Sequence, residues 1–264
     1  MSRRVSQENR HKKLYYELQE KGELREANLQ AARRFFQSDE RARIHKNQRT
    51  GKLNTRQLVK ASTGSREVFL QDRTRKVLKN TVVQVVVDIS GSMAGTKVVY
   101  AAHTCLIINK LCELFNLNTE VLGFTSAWSG NLIHCVYKKF GSRMRDDDFL
   151  DGFWSSLKHM NQNNDGDSIL FARERLLNTG KDKRKIMFVL SDGLPAGPRG
   201  DIETFTHDVV KKIEKEKWIE IYGIGILSKY VEEFYKDHMV VWDIRELEKS
   251  LLDFFKRVMY LNCS

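Results

Sequence analysis

Thr81-Val82-Val83-Gln84-Val85-Val86-Val87-Asp88-Ile89-Ser90-Gly91-Ser92 is the stretch that decides the fold. Its valines form a nearly continuous β-branched run. A strand buried on both faces reads this way, as in a central parallel sheet. Asp88 then stands at the carboxyl end of that strand. A carboxylate there is costly unless something compensates it. Ser90 and Ser92 place two hydroxyls at alternate positions, and Gly91 permits a tight turn, so three oxygens can face one point. Hard cations take such ligands; magnesium prefers roughly six oxygens in octahedral geometry and often keeps waters. Taken alone, the same residues also describe a capped turn, because Asp and Ser are common N-cap residues.

Working outward, the flanks decide between these readings. A helix is predicted over about 96–115, a strand over 120–124 and an alternating, antiparallel edge strand over 132–137. Helices over 147–157 and 168–178 precede a second buried strand, 186–190. An amphipathic helix (202–217), a strand (219–226), a helix (230–236), a short strand (240–242) and a closing helix (244–260) complete the pattern. Strands alternating with helices imply an α/β fold with a doubly wound, mostly parallel sheet. Ligands of such sheets bind outside the carboxyl ends of the strands. Two further loops fall there. Ser191-Asp192-Gly193 follows the strand 186–190, and Asp165-Gly166-Asp167-Ser168 opens the helix before it. Three acidic or hydroxyl loops at strand-end positions point to a metal site rather than a capped turn.

The chain divides into a mainly helical N-terminal extension, residues 1–80, and an α/β domain, residues 81–264. Leu14, Leu18, Leu24, Leu29 and Phe35-Phe36 lie among good helix formers, so residues 1–45 read as helical. Residues 46–66 read as a turn-rich connector with a short helix near 55–60, and Val68-Phe69-Leu70 as an edge strand. Charge follows the same division. Residues 1–80 hold 21 Lys+Arg against 9 Asp+Glu, a net of +12, whereas the whole chain carries +11. The extension therefore reads as an electrostatic arm for an acidic protein or for nucleic acid, with Tyr15, Tyr16, Phe35 and Phe36 interleaved among the basic residues.

Several chemistries are disfavoured. No apolar run reaches the roughly 20 residues of a membrane helix, and Met1-Ser2-Arg3-Arg4-Val5 opens no apolar signal core, so a cytoplasmic protein is expected. Cys105, Cys112, Cys135 and Cys263 form no CxxC pair and read as small hydrophobes in a reducing compartment. Gly91-Ser-Met-Ala-Gly95-Thr96-Lys97 fails the phosphate-loop spacing, and no G-x-S-x-G elbow is present. His103 and His134 read as packed residues, Asp146-Asp147-Asp148 as a solvated helix start, and Trp128 as a residue near the predicted site that could meet a partner. No catalytic activity is expected of the chain by itself.

DxSxS followed by a later (S/T)DG resembles the metal-ion-dependent adhesion site of von Willebrand factor A (VWA) domains. The resemblance makes Asp88, Ser90, Ser92 and Asp192 metal-site residues. It places Asp167 at the middle position, usually Thr, with Asp165 as the alternative. A narrower resemblance covers about residues 50–260. Gly51-Lys52-Leu53-Asn54, Arg56-Gln57-Leu58, Asp88–Met93, Val121–Thr125 with Trp128, Asp165-Gly166 with Ala172, Ser191-Asp192-Gly193 and Tyr222–Ile226 are similar to the C-terminal part of the CobT subunit of aerobic cobaltochelatase. That resemblance implies Mg2+, or another divalent cation such as Mn2+ or Ca2+. It also implies an acidic ligand on a partner or substrate, and a MoxR-type (CobS-like) AAA+ ATPase beside the chain. This would make it a non-ATPase subunit of a chelatase-like or remodelling complex. A stand-alone metal-dependent binding module and a nucleic-acid-binding protein acting through residues 1–80 are the other readings.

Overall fold

The computed structural model describes residues 2–24, 30, 32–34, 44–72, 80–181, 183–193, 195–196 and 200–260. Its centre is a six-stranded sheet in the order β6-β5-β4-β7-β8-β9, formed by β4 (Thr81–Asp88), β5 (Asn118–Ser126), β6 (Leu132–Lys138), β7 (Arg184–Ser191), β8 (Glu220–Ile226) and β9 (His238–Val241). All neighbours are parallel except β5 and β6, which pair antiparallel as the alternation of 132–137 predicts. The chain runs outward from β4 to β6, returns to lay β7 on the other side of β4, and runs outward again. The order reverses between β4 and β7, the point where doubly wound sheets leave a crevice for ligands.

The valine run shows why β4 must be central. Val83, Val85 and Val87 enter one apolar cluster, and Val82 and Val86 enter the opposite one. The first face is covered by α3 (Thr96–Leu114), α4 (Asp146–Ser156) and α8 (Ile244–Tyr260). The second is covered by α5 (Asp165–Leu177) and α6 (Ile202–Glu216), with the short α7 (Val231–Phe234) at its margin. Gln84 breaks the apolar pattern on the second face. It donates to Glu120 at 2.8 Å, and Arg175 donates to the same buried carboxylate at 3.0 and 2.5 Å. A buried charge kept this way is fully partnered, which is the condition for tolerating it.

The N-terminal region departs from its helical reading in part. Helix α1 (Ser2–Glu20) forms, but Ile44–Gln48 is a strand (β1), paired antiparallel with β3 (Phe69–Asp72). Lys52–Leu53 (β2) takes the other side of β3. The predicted edge strand is thus the middle of a small three-stranded sheet, and the connector supplies its two flanks. The short helix of the connector is α2 (Leu58–Ser62). Leu29, Phe35 and Phe36 lie outside the described residues. Helix α1 itself lies on the α/β domain: Tyr15 and Leu18, with Leu24 just past its end, are buried in the same cluster as Val83 and Val85. Tyr15 packs 5.7 Å from the Trp154 ring and 6.2 Å from His103. Among the described residues no helix is long and apolar enough to cross a membrane.

Candidate metal centre

Val87 pairs with Leu190, so β4 and β7 leave the sheet side by side at the point where the strand order reverses. Asp88 is completely buried there. Its Oδ1 accepts the Ser90 backbone N–H at 2.7 Å, which folds the loop back over the carboxylate. Its Oδ2 faces Asn163 Nδ2 and Ser191 Oγ, each at 3.5 Å. The Ser90 and Ser92 hydroxyls lie 3.0 Å apart. Ser92 Oγ donates to Asp192 Oδ1 at 2.8 Å, and the Lys97 ammonium pairs with Asp192 Oδ2. Asp88, Ser90, Ser92 and Asp192 are thus brought together.

Gly91 serves the loop differently from the expected tight turn. Its φ is not in the left-handed region. Instead its N–H donates to Asn161 O at 2.6 Å, and a Cβ would stand 3.2 Å from that same oxygen. The segment it touches is anchored on the end of β5: Thr125 Oγ1 donates to Gln162 O at 2.9 Å, and Ser126 bridges Gln162. Gly95 is the residue that needs left-handed freedom, with φ of 84° at the N-cap of α3.

The third loop brings Asp165 to the site. It is buried at 3% exposure, and Asn163 Nδ2, which also faces Asp88, donates to its Oδ2 at 2.9 Å. Its Oδ1 is buried with no hydrogen-bond partner. Asp167, two residues further into α5, is half-buried. Electrostatics place Asp165 with the other carboxylates. Burial pushes Asp165 well above the usual carboxylate range, and the charges of Asp88 and Asp192 add to that rise. Burial likewise lifts Asp88 from 3.8 to about 7 against the lowering effect of the Ser90 N–H, and Asp192 raises it further. Carboxylates held this way are short of positive charge.

This donor set fits a hard divalent cation. Among the described residues no three His, Cys, Asp or Glu side chains form a metal-holding group by themselves; beside the carboxylates stand the hydroxyls of Ser90 and Ser92. Asp192 accepts the Ser92 O–H hydrogen bond, so the Ser92 oxygen faces its other neighbours as an acceptor. The partnerless Asp165 oxygen offers one more ligand. The groups there that could ligate a cation, the carboxylates of Asp88, Asp165 and Asp192 and the hydroxyls of Ser90 and Ser92, are all oxygens, which suits Mg2+, Mn2+ or Ca2+ rather than a thiophilic metal.

Asn163 escaped the sequence reading. It ties two carboxylates together and is itself held by Ala196, whose N–H donates to its Oδ1 at 2.9 Å. The Asn163-Asn164 pair ahead of an acidic helix start was the available signal. The residues read as packed lie outside the site. His103 is buried beside Tyr15, His134 stacks on Phe171 at 4.0 Å, and Cys105 and Cys112 are buried thiols that burial pushes far up. Cys263 lies outside the described residues.

A family model described as "Cobalamin biosynthesis protein CobT VWA domain" matches residues 68–151 and 130–260. The chain belongs to the CobT VWA-domain family. The sheet also matches solved structures at the level of fold. Manganese-loaded TRAP protein of Plasmodium vivax superposes with a TM-score of 0.50 at 14% identity, covering 69% of this chain and 74% of that one. The pilus adhesin SpaC of Lactobacillus rhamnosus GG gives 0.50 at 15% identity, covering 69% of this chain and 31% of the adhesin. The chain therefore corresponds to less than a third of the adhesin's length.

Proposed function

We propose that this CobT-type VWA domain is a metal-dependent capture module, and that it works beside a MoxR-type AAA+ ATPase as its non-ATPase partner. The observation that carries the proposal is the convergence of Asp88, Ser90, Ser92, Asp165 and Asp192 at the β4–β7 switch point. A divalent cation bound there supplies positive charge and an open coordination position for a partner's carboxylate. The chain's own residues do the rest. Asp88, anchored by the Ser90 N–H, fixes the anionic floor. Ser90 and Ser92 present neutral oxygens, and Asp192 orients Ser92 by accepting its O–H hydrogen bond. Asn163 holds Asp165 against Asp88. Asp165 is the carboxylate we assign to the middle loop, with Asp167 as the alternative. Trp128, at 75% exposure, stands on the β5 loop that neighbours the 161–163 segment and offers an apolar contact at the rim.

The manganese of the TRAP structure and the name of the CobT family support the metal and the chelatase-like setting. The nucleic-acid reading draws less support. Tyr15, one of its interleaved aromatics, is spent on packing, and Lys12 pairs with Asp151 at 2.8 Å. Pulldown with a MoxR-type ATPase, with and without EDTA, tests the proposal. Capture should require the metal and should be lost in Asp88→Ala. Capture indifferent to both would reduce the protein to a scaffold that uses another surface.

A further inference from the structure

Lys97, which takes no part in the proposed capture, makes an ion pair with one of the site's carboxylates, Asp192. It sits in the first turn of α3, two residues past the left-handed Gly95. Its side chain is 34% exposed, while that of Asp192 is wholly buried. The ammonium thus reaches inward from the rim to a carboxylate whose other oxygen is taken by Ser92. Asp192 in turn feels Asp88 and Asp165, both raised by its charge. A cluster of three carboxylates with one tethered cation at its mouth is an arrangement in which the cation can be exchanged.

We propose that Lys97 is a resident counter-ion for the metal-free site, displaced from Asp192 when a divalent cation binds and released to the rim beside it. The inference rests on the metal reading of the site. Three features support exchange. The two positive charges repel at the short range available in a buried, weakly screened site. The lysine stem is long and flexible, and its ammonium is a point charge with no fixed fork to hold it to Asp192. The exposed side of the stem leaves a route to water without unfolding of α3. Once released, the ammonium stands next to the metal and adds a second positive centre facing an acidic partner.

The test uses the full chain and Mg2+ or Mn2+ alone as the probe. Calorimetric titration of the wild type reads the metal site. The rate of acetylation of Lys97, followed by mass spectrometry with Lys13 as an internal reference, reads the exchange. Metal should raise Lys97 labelling severalfold and leave Lys13 unchanged. Lys97→Met should bind the metal roughly tenfold more tightly, the order expected on removing one nearby like charge. Metal binding with Lys97 labelling unchanged or slowed, or a Lys97→Met variant of equal or weaker affinity, overturns the exchange and leaves the metal site standing. No metal binding by either protein overturns both.

Discussion

Asp88→Asn should make the metal-free protein more stable while abolishing its response to metal. The side chain is fully buried, and burial together with Asp192 lifts its pKa from 3.8 to about 7. A folded-state value above the unfolded one means that the fold prefers the protonated acid. Its contribution is intact below about pH 4 and is lost as pH rises through about 7. At pH 8 the metal-free fold carries the whole penalty, on the order of 4 kcal/mol at about 1.4 kcal/mol per tenfold change in proton affinity. Asparagine keeps the Oδ1 that accepts the Ser90 N–H and removes the charge. It forfeits part of the gain at Asn163 and Ser191, which face the other oxygen. A net gain of about 2 kcal/mol or more is expected at pH 8, a rise of roughly 5 °C in Tm for a chain of this size, shrinking toward pH 5. Thermal unfolding in EDTA at both pH values, repeated with millimolar Mg2+, measures it. Wild type should rise with Mg2+ and the variant should not. An Asp88→Asn protein less stable than wild type in EDTA at pH 8, or one that Mg2+ stabilises equally, would show that the Asp88 charge is neither a burden on the metal-free fold nor a ligand for the cation.

Three further outcomes follow from specific contacts. Gly91→Ala puts a methyl 3.2 Å from Asn161 O; it should cost about 1 kcal/mol of stability, the low end of overpacking, and weaken metal binding in calorimetry by displacing the Ser90–Ser92 loop. Arg175→Met strips the guanidinium from fully buried Glu120 and should cost about 3 kcal/mol or more in urea unfolding, with metal affinity unchanged and most of the loss recovered by adding Glu120→Gln. Trp128→Ala should leave stability within about 0.5 kcal/mol, as expected for an exposed side chain, yet reduce metal-dependent capture of the ATPase in pulldown.

The α/β sheet was legible because its central strands advertise themselves. The valines of β4 have apolar neighbours on both faces, and a continuous β-branched run records that directly. The small N-terminal sheet was not legible. His45, Lys46, Asn47 and Gln48 of β1 are polar, and only pairing with β3 makes them a strand. The site divides in the same way. Asp88, Ser90, Ser92 and Asp192 sit at strand ends, where sequence position fixes location. Asp165 and Asp167 lie two apart at the start of one helix, where a two-residue step turns the side chain to another face. Which of them faces the sheet depends on how α5 docks, and Asp165 is the one that Asn163 holds. Asn163 and Lys97 act through single side-chain contacts that no spacing rule encodes.

The proposed function stands on a divalent cation held where β4 and β7 end. Crystals grown with Mn2+ and measured at a wavelength where manganese scatters anomalously test it directly. A single anomalous peak should lie among the oxygens of Asp88, Ser90 and Ser92, within reach of Asp165 or Asp192, and should vanish in Asp88→Ala. A crevice without a peak at millimolar Mn2+, or a peak only elsewhere on the surface, would contradict the account.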